Sequence, residues 1–542
     1  MKHVALLFAV MALLAASAAT TRAEVQLPAV LSSHMVLQRG MSVPVWGTAA
    51  PGEKVTVRFR DQEKSGVTDA QGRWRVNLES LVAGGPDVMT VTGANVLTLE
   101  DVLVGEVWVG SGQSNMAMTM RVLDREKQAV DLGGPGRSYS RLRLITRKDT
   151  GWQQATPETI APFSALLFSF GVPLQEKLDV PVGLLLGAVG GSPSGSWLSP
   201  EAYAADAACQ ESIARFASTF SLEEARKKHD AEMKKYEEAQ AEWDKAPAEA
   251  RKGQLPPRKP APLLKPGEGR SPIGGLYKRD IKPFIPYAIR GVLWDQGESG
   301  TGILGVEQYT LMGALIRSWR KEWGQGDFPF IYMQKPSGGG CAWDPTDPVT
   351  RLANQFAPLP ATLPEGGTHL DGRPLIKTLE YHLQIMRIPA ATMVTTSDLG
   401  GGLHPANKAG YGARACRVAL GAVYGEKIEI YGPIYQSHSF EGSRVHIRFT
   451  RAGQGLAFKH GDKLQGFAIA GADRKFVWAD ALIESPVGAG RVADTVVISS
   501  GLVPQPAFVR YAWAPSHPWA NLFNKDGLPA LSFRTDDQEP LP

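Results

Sequence analysis

Five short apolar runs constrain the fold more than any other feature of the chain. They cover residues 102–109, 182–186, 291–294, 328–334 and 392–395. Each has the length of a buried strand. The intervals between them are long enough to hold helices. Apolar strands alternating with helix-length segments read as a parallel sheet covered on both faces, because every parallel connection must cross the sheet. The expected class is α/β. Open sheets of this kind place their sites at the C-terminal ends of the strands. Four of the five runs end there in polar or Gly-rich sequence.

The flanking regions follow a different grammar. Residues 24–101 carry short runs such as Val55-Thr56-Val57-Arg58-Phe59 and Trp74-Arg75-Val76-Asn77-Leu78, separated by turn formers such as Pro51-Gly52 and Gly84-Gly85-Pro86. Short strands at this spacing predict a small β-sandwich. From about residue 430 the β character returns, clearest at Val445-His446-Ile447-Arg448-Phe449 and Phe508-Val509-Arg510-Tyr511. A chain of 542 residues is too long for one core. The expected organisation is a leader over 1–23, an N-terminal β-sandwich-like domain over 24–101, a catalytic α/β domain over 102–429 and a C-terminal β-rich domain over 430–542.

An insertion at about 205–275 interrupts the α/β domain. Ser221-Leu222-Glu223-Glu224 has the form of a capping box, and Glu223/Lys227 and Glu224/Lys228 are i,i+4 pairs. They predict a charged, solvated helix over 221–245. The Pro-rich stretch 253–272 is expected to be extended.

Residues 1–23 read as a secretory signal: Lys2 and His3, then an apolar stretch over 4–16, then small residues around Ala16-Ser17-Ala18. Export to the periplasm or the medium is the expectation, without a membrane anchor, since no second apolar stretch is long enough. A formal charge of +4 without a basic stripe argues against a nucleic-acid binder. Cys209, Cys341 and Cys416 are an odd set, so at least one thiol is free. Buried free thiols are expected. No His, Asp or Glu cluster has metal-ligand spacing, and no cofactor is expected.

Four strand-end motifs carry the chemistry. After the first strand, Gly110-Ser111-Gly112 breaks the run and Ser114 follows. A serine at a Gly-flanked turn after a buried strand is a recurrent way to expose a nucleophile. After the second, Gly190 and Gly191 let backbone N–H groups approach a ligand. After the third comes Trp294-Asp295-Gln296-Gly297-Glu298-Ser299. The Gln296 amide can complete an oxyanion hole, and Glu298 can orient a histidine. After the fifth, His404 ends a Gly-rich loop, with Asp398 close enough in sequence to orient its ring. Histidine is the usual base for an activated serine.

This ordered set, VWVGSGQSNM, then Gly-Gly-Ser, WDQGES and DLGGGLHPANK, resembles the SGNH (GDSL-like) hydrolase superfamily, and more closely the sialate O-acetylesterase family of carbohydrate esterases. SSHMVLQRGMSVPVWGTAAPGEKVTV near the start and NLFNKDGLPALSFRTD near the end extend the resemblance over nearly all of the chain beyond the leader. It implies a three-layer α/β/α core and hydrolysis of O-acetyl groups on carbohydrates. It puts Ser114 at the nucleophile position and His404 at the base position. Its oxyanion hole is the Ser114 N–H, the Gly190 or Gly191 N–H and the Gln296 side chain. One departure stands out. The superfamily carries an Asp three residues before the histidine, where this chain has Gly401. The acid is then Asp398, or alternatively Glu298, or a backbone carbonyl supporting a Ser–His dyad. The substrate is an acetylated sialic acid or an acetylated hemicellulose such as xylan or xyloglucan. The alternative of another class is a non-catalytic secreted glycan-binding protein. Oligomeric state is not readable from the sequence.

Overall fold

Thirteen strands frame the site. The N-terminal region supplies β1 (Val36–Gln38), β2 (Val43–Thr48), β3 (Lys54–Phe59), β4 (Gln62–Val67), β5 (Arg73–Leu78), β6 (Gly84–Thr92) and the long β7 (Val96–Gly112). The central region adds β8 (Tyr139–Thr146), β9 (Gln153–Ala155), β10 (Val182–Ala188), β11 (Gly291–Asp295), β12 (Phe330–Met333) and β13 (Ala391–Val394). The structure is a computed structural model and describes residues 24–125, 137–336, 339–364, 375–486 and 490–536. The leader lies outside these residues.

Residues 24–101 form two β layers. In β5 the sequence Arg-Trp-Arg-Val-Asn-Leu alternates exposed and buried positions, as a strand with one wet face must. β5 pairs with β2, while β3, β4 and β6 pair among themselves and join β7. The domain boundary expected at 101/102 falls inside β7, which runs unbroken for 17 residues. Only a bend marks it, at Asp101, whose φ is +53°. The first part of β7 belongs to the N-terminal layer. From Val102 to Gly112 the strand is buried throughout, as a central parallel strand should be.

The central sheet runs in the order β13-β12-β11-β7-β10-β8-β9, parallel except for the β9 edge. From β7 the chain moves to β8 and β10 on one side, then crosses to β11 on the other. The crevice beyond the end of β7 is therefore a topological switch point. Trp108, Leu184, Leu293 and Ile331 face the helices Ala165–Leu178 and Lys408–Ala422. Val107, Val109, Val292 and Phe330 face Gln308–Trp323 and Leu375–Ile385. That is helix, sheet and helix in three layers.

A buried carboxylate fastens the N-terminal region to this core. Glu106 on β7 accepts from Arg39 Nε (2.6 Å), Arg290 Nε (2.7 Å), Gln38 Nε2 (3.0 Å) and Tyr424 Oη (3.0 Å). Burial opposes its charge, yet the two arginines hold its pKa below the usual value. The inserted helix Leu222–Lys245 buries no residue, and Ser221 caps it by accepting from Glu224 N–H at 3.2 Å. The C-terminal region packs two four-stranded sheets and a two-stranded one around Val445, Phe467, Tyr511 and Phe533. All three cysteines are free and buried. Among the described residues no helix is long and apolar enough to cross a membrane, and no group of three or more His, Cys, Asp and Glu could hold a metal ion.

Candidate active site

Ser114 sits two residues past the end of β7. Gly112 makes the turn possible: its φ is +127°, and a Cβ there would lie 2.1 Å from the Asp295 carbonyl oxygen. Only glycine lets β7 and β11 stay this close. Gln113 N–H then donates to the same Asp295 oxygen at 2.8 Å. The chain winds into the short helix Ser114–Ala117, leaving Ser114 half-buried at its first position.

His404 reaches Ser114 from the loop after β13. Its Nε2 is 2.9 Å from Ser114 Oγ, across 290 residues of sequence. Gly190 lies against the other side of the serine, for a Cβ there would be 3.7 Å from Ser114 Cβ. The backbone N–H groups of Ser114, Gly190 and Gly191 donate to no partner among the described residues. The structure thus gathers Ser114, His404 and the Gly190–Gly191 loop at one point.

The remaining expected residues hydrogen-bond to other partners. Gln296 is turned inward: Nε2 donates to the Gly300 carbonyl at 2.8 Å and Oε1 accepts from Gln308 Nε2 at 2.9 Å. Its amide clamps the Gln296–Gly300 turn. Both oxygens of Asp398 bind Arg414, at 3.2 and 3.0 Å, with the pair fully buried. This arginine lies on the following helix, Lys408–Ala422. The other acid, Glu298, points to Lys335 Nζ (2.6 Å) and Asn115 Nδ2 (2.9 Å). Among the described residues no carboxylate is bonded to the His404 ring.

Behind the serine lies a buried charged cluster. Lys335, just past β12, sits 2.6 Å from both Asp295 and Glu298 and is fully buried. Lys408, at the start of the helix after His404, donates to Asn115 Oδ1 at 2.7 Å. Two carboxylates and two ammonium groups balance. Burial disfavours charge on Lys335, but Asp295 and Glu298 outweigh it and raise its pKa. Burial likewise opposes charge on Glu298, and Lys335 overrides it, lowering the pKa. Asp295 is pushed up by burial. Burial brings Lys408 down to about 8. His382, packed on the same turn with Nδ1 2.8 Å from the Thr378 carbonyl, is brought by burial to about 4.

Sequence reasoning gave Asn115, Lys335, Lys408 and His382 no role. Asn115 and Lys408 stand inside the quoted motifs. Lys335 follows the end of β12, so the strand-end rule that found the other loops applies to it as well.

No family model matches the chain. The sialate O-acetylesterase of Pongo abelii is 23% identical over 529 residues, spanning 89% of this chain and 86% of that protein. The sialate O-acetylesterase of Mus musculus is 24% identical over 531 residues, spanning 89% and 88%. The crystal structure of a carbohydrate acetylesterase from Xanthomonas citri superimposes with a TM-score of 0.70 at 27% identity, covering 95% of this chain and all of that one. Along most of its length the chain is similar to sialate O-acetylesterases and to a carbohydrate acetylesterase, the resemblance its motifs imply.

Proposed function

We propose that the protein is a serine esterase that removes O-acetyl groups from carbohydrates. The observation that carries the chemistry is the 2.9 Å approach of His404 Nε2 to Ser114 Oγ at the switch point of the sheet. Ser114 Oγ–H donates to His404 Nε2. His404 takes that proton as Oγ attacks the acetyl carbonyl. The oxyanion is received by the N–H groups of Ser114 and the Gly190–Gly191 loop. The tetrahedral intermediate collapses to acetyl-Ser114, and His404 protonates the departing sugar oxygen. Water, deprotonated by His404, then attacks the acetyl group and releases acetate. Every proton transfer passes through one imidazole.

The finer reading is an SGNH-type hydrolase core acting on sialate esters. The order of the Ser, Gly, Gln-Gly-Glu and His blocks, each past the end of a parallel strand, supports the first part. The names of the curated relatives support the second. Export belongs to the same proposal and rests on residues 1–23.

The test is release of p-nitrophenol from p-nitrophenyl acetate. Ser114→Ala should abolish it while leaving the circular dichroism spectrum unchanged; activity above a tenth of the parent value would refute the nucleophile. Acetate release from O-acetylated sialoglycans against acetylated xylan then decides the sugar.

A further inference from the structure

His404 stands in an exposed loop and, among the described residues, no carboxylate holds its ring, yet the reaction needs it fixed to within a fraction of an ångström. The loop is tied down elsewhere at Gly400, whose carbonyl accepts from Tyr411 Oη at 2.9 Å, and at Leu399, whose carbonyl accepts from Asn407 Nδ2 at 3.1 Å. Both ties lie four or more residues before the histidine. A third tie is adjacent to it. The Leu403 carbonyl accepts from Asn115 Nδ2 at 3.1 Å. Asn115 directly follows Ser114.

We propose that Asn115 is the positioning residue that fixes the His404 loop on the nucleophile loop. The inference rests on the Ser114–His404 reading above. Asn115 is almost wholly buried, and its amide has no freedom of orientation. Lys408 Nζ can only donate, so the amide oxygen must face it. Glu298 Oε1 and the Leu403 carbonyl can only accept, so the NH2 must face them, one hydrogen to each. The charged cluster therefore holds the amide, and the amide holds the residue before His404. Ser114 and His404 are joined through one peptide link on each side of a single side chain. The positions of Lys408, Glu298 and Lys335 follow from this: they set the direction of an amide that touches neither substrate nor imidazole.

The experiment measures kcat and KM for p-nitrophenyl acetate in Asn115→Ala and Asn115→Asp, with Ser114→Ala alongside. Asn115→Asp keeps the volume and the Lys408 contact but loses both donors, so it carries the test if the alanine variant does not fold. The expected result is a kcat at least tenfold lower in each folded variant with KM within about twofold. The acid limb of the pH–kcat profile should keep its midpoint, since Asn115 contacts the backbone and not the ring. A folded Asn115 variant with parental kcat overturns the proposal, as does a loss confined to KM or to thermal stability. Activity surviving in Ser114→Ala would instead overturn the catalytic reading itself, so the two failures are distinguishable.

Discussion

Replacing Lys335 with methionine tests whether the buried cluster is held by charge or by packing. Methionine fills the same volume without the ammonium. Lys335 Nζ lies 2.6 Å from Asp295 Oδ1 and 2.6 Å from Glu298 Oε1, and none of the side chain meets solvent. Its loss leaves the fully buried Asp295 and the largely buried Glu298 without the ammonium that pairs them. Removing one partner of a buried ion pair costs about 3–5 kcal/mol, because the abandoned charge cannot return to water. At about 2 °C per kcal/mol for a domain of this size, the thermal midpoint should fall by roughly 6–10 °C. The deficit also has a sign in pH. Burial already holds Asp295 above its ordinary value, and without Lys335 it raises both carboxyls further. They are then least tolerated when fully ionised, and protonation relieves them. The difference between variant and parent should therefore shrink from pH 7 to pH 5. Tryptophan fluorescence during heating follows the transition, since Trp294 precedes Asp295 on β11. A midpoint within 2 °C of the parent at pH 7, or a deficit that widens at pH 5, would refute the electrostatic account.

Two further perturbations read other parts of the site. Gly112→Ala places a Cβ 2.1 Å from the Asp295 oxygen at a φ of +127°, so β7 must part from β11. A displacement near 1 Å should lower kcat/KM for p-nitrophenyl acetate by about a hundredfold, and a loss under threefold would contradict the reading. His382 is neutral down to about pH 4 in the folded chain, against an ordinary value of 6.5. Over that window the unfolded chain binds a proton that the folded one refuses, so stability falls as pH falls, by about 1.4 kcal/mol per unit at most. Midpoints measured at pH 4.5, 5.5 and 6.5 should decline less steeply in His382→Gln than in the parent.

The fold was legible where its causes are local. Runs of apolar residues with helix-length gaps identify the parallel strands, because burial on both faces removes the polar alternation. The meeting of Ser114, Gly190 and His404 is legible for the same reason: each follows a strand end. The expected contacts that the structure does not show share a different cause. Sequence proximity sets Asp398 near His404, but Arg414, sixteen residues on in the following helix, takes both its oxygens. Gln296 is expected at the oxyanion from its strand-end loop and from the family resemblance. The direction of its amide depends on Gln308 and the Gly300 carbonyl, which only the folded turn brings near. Strand periodicity likewise cannot show that β7 continues through residue 101, since its two halves lie in different burial environments.

The same contrast explains why a charged cluster lies behind the serine where apolar packing would be the cheaper filling. A buried ion network adds little stability compared with a well-packed apolar one. What it adds is direction. The C-terminal ends of β7, β11, β12 and β13 and the segments that follow them all contribute: Asn115, then Asp295 and Glu298, then Lys335, then Lys408. Two of these segments are rich in glycine. Apolar side chains would hold the four together without distinguishing one amide orientation from its flip. An ammonium on one side and a carboxylate on the other do distinguish them, and only one orientation donates to Leu403. With Gly401 where an acid would otherwise meet the histidine, the constraint on His404 comes through its own main chain. That route needs a support that is rigid in direction as well as in place.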